Sequence, residues 1–128
     1  MYKDRILIID DEKDFLDLVG ERLKLEGYDV TTAFDGENGL QKAKTWNPDL
    51  IICDVKMPKK DGFEVLKNLR QETDIRVPFV MLTVVDDFAK IKKAYDEEAD
   101  FYVTKPVELA SLSKNIRILL NLSKTKKE

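Results

Sequence analysis

The chain has 128 residues, 43% of them hydrophobic and 37% charged, with a net charge of -3. That suffices for one domain with its own core and is too little for two. The near-balance of charge leaves no basic excess for nucleic-acid binding, and no apolar run approaches the roughly 18 residues of a membrane span. The absence of histidine rules out His-based catalysis, His metal ligands and phosphohistidine within the chain. The single cysteine, Cys53, cannot form an intramolecular disulfide and sits in an apolar run, so it reads as a core residue. The charged N-terminus leads straight into a strand and shows no signal peptide. Together these features describe a cytoplasmic protein.

In chain order, residues 5–10 (RILIID) form a buried strand that ends in acid, with Asp11 directly after it. Phe15, Leu18, Val19, Leu23 and Leu25 have the spacing of an amphipathic helix over 13–26, which Gly27 stops. Residues 29–34 are β-branched and strand-like, Asp35-Gly36 turns the chain, and a second helix over 37–46 ends at Asn47-Pro48. Residues 50–53 (LIIC) lack polar alternation, which marks a strand buried on both faces; Asp54 ends it. Pro58 and Asp61-Gly62 make the next stretch a loop, followed by a third helix over 63–72. A fourth strand covers 77–83, with Pro78 at its start. A fourth helix covers 86–98 and carries the weakest apolar stripe. A short fifth strand covers 100–103, and Lys105-Pro106 breaks it. Leu109, Leu112, Ile116, Leu119 and Leu120 mark the last helix, and the polar residues 123–128 are expected to fray.

Five strands alternating with five helices predict an α/β fold, a doubly wound, flavodoxin-like parallel sheet in the order 2-1-3-4-5. That order sets the first and third strands side by side, so Asp10-Asp11 and Asp54 meet at one crevice at the carboxyl edge. Three crowded carboxylates need a cation, and oxygen ligands without His or Cys suit Mg²⁺. Taken singly, each residue has a plainer role. Asp54 or one of Asp10-Asp11 could cap a helix, Thr83 could do the same, and Lys105 could be solvated. Glu12 is expected to point away and serve the first turn of its helix. Thr83 and Lys105 end the fourth and fifth strands, and a hydroxyl, a cation and a metal are what a transferring phosphoryl group needs around its oxygens. The Lys105-Pro106 bond is a candidate cis peptide.

Asp10-Asp11, Asp54, Met57-Pro58, Asp61-Gly62, Thr83 and Lys105-Pro106, in this order and spacing, resemble the receiver domain of bacterial two-component response regulators, of the chemotaxis-regulator type. The resemblance covers essentially the whole chain, as a receiver over 1–124 with a polar tail over 125–128. It implies that Asp54 accepts a phosphoryl group from a sensor histidine kinase or phosphotransfer protein. Asp11 and Asp54 would bind Mg²⁺ directly, Asp10 through water, and the Lys56 backbone carbonyl would be a further ligand. Lys105 would pair with the phosphoryl oxygens, and Thr83 would turn its hydroxyl toward them. Tyr102 matches the aromatic switch position; its plainer role is a packed edge-strand aromatic. Output would be read on the fourth helix, fifth strand and last helix by a downstream protein or output domain, and a homodimer through that surface is compatible with the sequence. Direct nucleic-acid or membrane contact is not expected of this segment.

Lys56 and Val85 would border the path of a hydrolytic water. Neither can act as a base there, so a long-lived acyl phosphate is expected. Two positions depart from the family pattern. Val84 stands where a small residue is usual, and Glu98 where Gly often ends the fourth helix. The chain would be no enzyme beyond assisting its own phosphorylation and dephosphorylation. Two other readings compete. A phosphatase with an aspartyl-phosphate intermediate wants a second Asp where Lys56 stands. A non-phosphorylated interaction module would be expected to lack some of the acids, the Thr or the Lys.

Overall fold

A computed structural model describes residues 2–84 and 99–127. Its elements are β1 (Arg5–Ile9), α1 (Lys13–Leu25), β2 (Asp29–Ala33), α2 (Gly36–Trp46), β3 (Leu50–Asp54), α3 (Gly62–Glu72), β4 (Phe79–Val84), β5 (Phe101–Lys105) and, as the last helix, α4 (Leu109–Lys127). All strand pairs are parallel and the order is β2-β1-β3-β4-β5, as the alternating pattern requires. The helix expected over 86–98 lies outside the described residues, which hold four helices. Among the described residues no helix is long and apolar enough to cross a membrane.

Successive strand side chains point to opposite faces, so each unbroken apolar run feeds two cores. Leu7, Ile9, Ile51, Cys53, Phe79 and Met81 pack with α2 and α3 through Leu40, Val65, Leu66 and Leu69. Ile6, Ile8, Leu50, Ile52, Val80 and Leu82 pack with α1 and α4 through Leu16, Val19, Leu112 and Ile116. Residues 6–9 of β1 and 50–53 of β3 are therefore fully buried.

Several expectations shift in detail. The buried stripe of α1 is Leu16, Val19, Gly20 and Leu23, whereas Leu18 and Leu25, seven apart on another side, are 59% and 86% exposed. Strand β4 begins at Phe79, after Pro78, and β5 extends to Lys105 because the ladder continues through Thr83–Thr104 and Val84–Lys105. Asp100 precedes β5, and its carboxylate accepts from the Phe79 N–H at 2.7 Å. Residues 123–127 do not fray; they continue α4. Lys124 reaches Asp4 at 2.9 Å and Thr125 donates to the Asn121 carbonyl, which ties this polar end to the start of the chain.

Gly62 begins α3 directly under β3. Its N–H donates to the Val55 carbonyl, and a Cβ there would lie 2.5 Å from the Asp54 carbonyl oxygen and 3.1 Å from the Met81 sulfur. The Gly62→Ala variant should therefore lose about 1–3 kcal/mol in urea unfolding. A variant as stable as the parent would show that α3 can move away from Asp54 at no cost.

Candidate functional site

The register of the sheet assembles the site. Ile9 pairs with Cys53, so Asp10 and Asp54, each one residue further on, emerge side by side. Asp54 pairs with Leu82, Thr83 with Thr104 and Val84 with Lys105, which brings the ends of β4 and β5 to the same edge. Asp11, Glu12, Asp54, Lys56, Thr83 and Lys105 line one crevice there. Ligand atoms of Asp10, Asp11 and Asp54 all lie within 4.8 Å of one another.

Local capping explains which acids are free for chemistry. Asp61 caps α3 in a reciprocal box with Glu64, and Asp35 caps α2 through the Asn38 N–H at 2.7 Å. Asp54 therefore has no helix to cap. Asp10 uses both oxygens: Oδ1 accepts from the Glu12 N–H at 2.9 Å, and Oδ2 accepts from Lys105 Nζ at 2.8 Å. Asp10 has no solvent exposure at all, whereas Asp11 is exposed at the mouth.

Lys105 is the counter-charge. Its Nζ lies 2.8 Å from Asp10 Oδ2, 3.2 Å from Glu12 Oε1 and 3.4 Å from Asp54 Oδ2. The Lys105-Pro106 peptide is cis. Glu12 thus departs from expectation. It occupies the N-cap position of α1 without a side-chain cap bond; its amide donates to Asp10 and its carboxylate turns to Lys105. The Phe15 ring, expected only as core, lies with its centroid 4.8 Å from Lys105 Nζ. A lysine on a strand 93 residues away leaves no trace in the local pattern around Glu12.

Thr83 is buried at the end of β4 and its hydroxyl donates to the Val84 carbonyl at 3.2 Å. Tyr102 is partly buried against the core that packs on α2 and α3, on the same side of the sheet as Thr83 and one pleat before its partner Thr104. Val84 lines the crevice mouth at 45% exposure. Val85 and Glu98 lie outside the described residues.

Charge crowding shows in the protonation equilibria. Burial, and then the neighbouring Asp10 charge, push the Asp54 carboxyl from its ordinary 3.8 up to about 6, against the pull of Lys105. Burial also raises Asp10, opposed by its hydrogen bond from Lys105. Burial works against the Lys105 ammonium, but its bond to Asp10 and the Asp54 charge outweigh that and hold its pKa above the ordinary value.

This architecture defines a receiver-type domain, and comparison with known proteins agrees. Residues 6–117 match the family described as response regulator receiver domain. The transcriptional regulatory protein PhoP for alkaline phosphatase synthesis in Bacillus subtilis is 41% identical over 93% of this chain and 49% of its own length. The DNA-binding master transcriptional regulator RpaA of Synechocystis is 41% identical over 91% of this chain and 48% of its own. The CheY-like receiver of Methanospirillum hungatei superposes with a TM-score of 0.90 at 28% identity, covering 98% of this chain and 99% of that one. The receiver domain of the Francisella response regulator 1452 gives 0.87 at 30% identity, covering 94% and 99%. The chain belongs to the response regulator receiver domain family of two-component systems. It spans about half the length of the curated relatives it matches.

The raised Asp54 pKa has a definite sign in stability. Between about pH 4 and 6 the folded protein holds the proton more tightly than the unfolded chain, so stability falls as pH rises through that window. Asp54→Asn removes this cost and, without divalent metal, should be about 1–3 kcal/mol more stable than the parent at pH 7. The gain should shrink below pH 5; urea titrations at both pH values check it.

Proposed function

We propose that this chain is the phosphorylation-controlled switch of a two-component phosphorelay, with Asp54 as phosphoacceptor. The observation that carries the reading is Asp54 itself: a carboxylate free of any capping duty, at the mouth of a crevice, with a lysine 3.4 Å away. The phosphoryl donor is a phosphohistidine on a sensor kinase or phosphotransfer protein, since the chain has no histidine of its own. In the transfer, an Asp54 oxygen forms the new O–P bond as the donor's N–P bond breaks and imidazole leaves. Lys105 holds a phosphoryl oxygen, and the Thr83 hydroxyl exchanges its bond to the Val84 carbonyl for another.

The clustered oxygens of Asp10, Asp11 and Asp54 suit a hard divalent cation. Asp11, Asp54 and the Lys56 carbonyl would hold Mg²⁺, with Asp10 acting through water. When bound, the ion supplies charge neutralisation for the carboxylates and the phosphoryl oxygens. The chain is no enzyme beyond assisting its own phosphorylation and dephosphorylation.

Output runs from Thr83 to Tyr102, its diagonal neighbour on the same face of the sheet, and so to the surface of β5. There a downstream protein or output domain, or a second copy of the chain, would read the state. Two relatives named as transcriptional regulators support an output in transcription, exerted by parts of a longer protein.

Asp54→Asn should abolish acyl-phosphate formation from acetyl phosphate with Mg²⁺ while the fold persists. Millimolar Mg²⁺ should raise the melting temperature of the parent by linkage. Uptake of label by the Asn variant would overturn the assignment of Asp54.

Lys56 lines the crevice beside Asp54. As an ammonium it donates but cannot accept, so it does not activate water. A Lys56→Asn, Val85→Glu double variant should lose its phosphoryl group about tenfold faster, or about 1.4 kcal/mol in the barrier. Phosphate release after removal of the donor measures it, and equal or slower loss would refute a long-lived state set by these two side chains.

A further inference from the structure

An ammonium has three N–H donors. In this structure the Lys105 ammonium faces three carboxylate oxygens: Asp10 at 2.8 Å, Glu12 at 3.2 Å and Asp54 at 3.4 Å. Two of its donors are hydrogen-bonded, to Asp10 and Glu12, and its remaining side faces Asp54 as an ion pair. A phosphoryl oxygen can be bound only if one of these contacts is surrendered, and the three differ greatly in what surrender costs.

The Asp10 side chain has no exposure and its other oxygen is held by the Glu12 amide. Leaving it without Lys105 would strand a buried charge. The Asp54 side chain, 11% exposed, is where the phosphoryl group itself would stand, so Lys105 must stay beside it. The Glu12 side chain is 67% exposed, and on release its carboxylate returns to water at little cost. A phosphoryl dianion is also the stronger partner for an ammonium. The exchange is therefore directed to one place.

We propose that Glu12 is a positioning residue that stands in for the phosphoryl oxygen, holding Lys105 at the acceptor site until the phosphoryl group displaces it. Phe15, three residues along α1, contributes the ring beside the ammonium and limits its sideways movement. The carboxylate of Glu12 lines the same crevice as Asp54, so it leaves toward solvent as the phosphoryl group enters. This rests on the phosphoacceptor reading of Asp54. It adds that the resting state is held by a contact that competes with activation.

The test uses Glu12→Gln, which keeps the side-chain shape and removes the charge, with beryllofluoride as the phosphoryl analogue. With Mg²⁺ present, the variant should bind beryllofluoride about two- to fivefold tighter than the parent, the range set by one exposed ion pair. In a Lys105→Gln background the same substitution should give no tightening. If it tightens there too, the effect is general electrostatics and the proposal falls. A direct readout needs no ligand. Proton exchange of the Lys105 ammonium, followed by ¹⁵N NMR in the metal-free protein, should be faster in Glu12→Gln, and unchanged exchange would overturn the proposal. The two failures separate cleanly. No beryllofluoride binding by the parent defeats the phosphoacceptor reading, whereas an unchanged dissociation constant in Glu12→Gln defeats the stand-in alone.

Discussion

The carboxyl edge of the sheet gathers Asp10, Asp11, Glu12 and Asp54 around the Lys105 ammonium, and the arrangement of the site follows from that imbalance. Asp10 tolerates complete burial because one oxygen takes the lysine and the other takes a helix amide. Asp54 has only the more distant third contact, which does not offset burial and the neighbouring Asp10 charge, so its pKa rises to about 6. The domain is thus charged against itself, and an added cation at the three acids would relieve it.

The loop that follows β3 is braced from two sides. Lys59 reaches the capping carboxylate of α2, Asp35, at 3.7 Å, and Lys60 reaches Asn68 of α3 at 2.8 Å. Gly36 lies so close to the Lys60 carbonyl that any side chain there would displace the loop. Lys59 itself has φ 70°, a left-handed conformation that costs a non-glycine residue of order 1 kcal/mol. The turn is held by the Lys60 N–H to the Pro58 carbonyl at 2.8 Å. The N-terminus of α2 and the side chain of Asn68 within α3 therefore brace the segment that follows Lys56.

The two cores divide the labour. The core packed on α1 and α4 includes Leu82 and Val80, and Ser113 of α4 donates to the Glu26 carboxylate at the end of α1 at 2.7 Å. The core packed on α2 and α3 includes Met81 and partly buried Tyr102. Thr83 shares this second side of β4 with Met81, so a movement of Thr83 is felt first by Tyr102 and β5, away from the α1–α4 pair. The alternation of a single strand decides which face of the domain Thr83 shares with Tyr102.

Much of this was legible in the sequence, because both devices that matter are local or topological. Unbroken apolar runs identify enclosed strands, and their alternation with amphipathic helices leaves few strand orders, of which 2-1-3-4-5 is the common one. That order is enough to bring Asp10-Asp11, Asp54, Thr83 and Lys105 to one edge. The sequence also marks Asp61-Gly62 and Asp35-Gly36 as turns, because capping chemistry spans only three or four residues. Tertiary structure alone decided the rest. Glu12 looks like a helix-start acid until β5 delivers Lys105 beside it. Leu18 fits the apolar spacing of α1, yet Leu16 is the residue that faces the sheet. The glycines at 36 and 62 read as turn residues, but their further role is steric, against the Lys60 and Asp54 carbonyls. Residues 123–127 look like a frayed tail until Lys124 finds Asp4. Each of these depends on a partner far along the chain, and hydrophobic period and local propensity carry no information about such a partner.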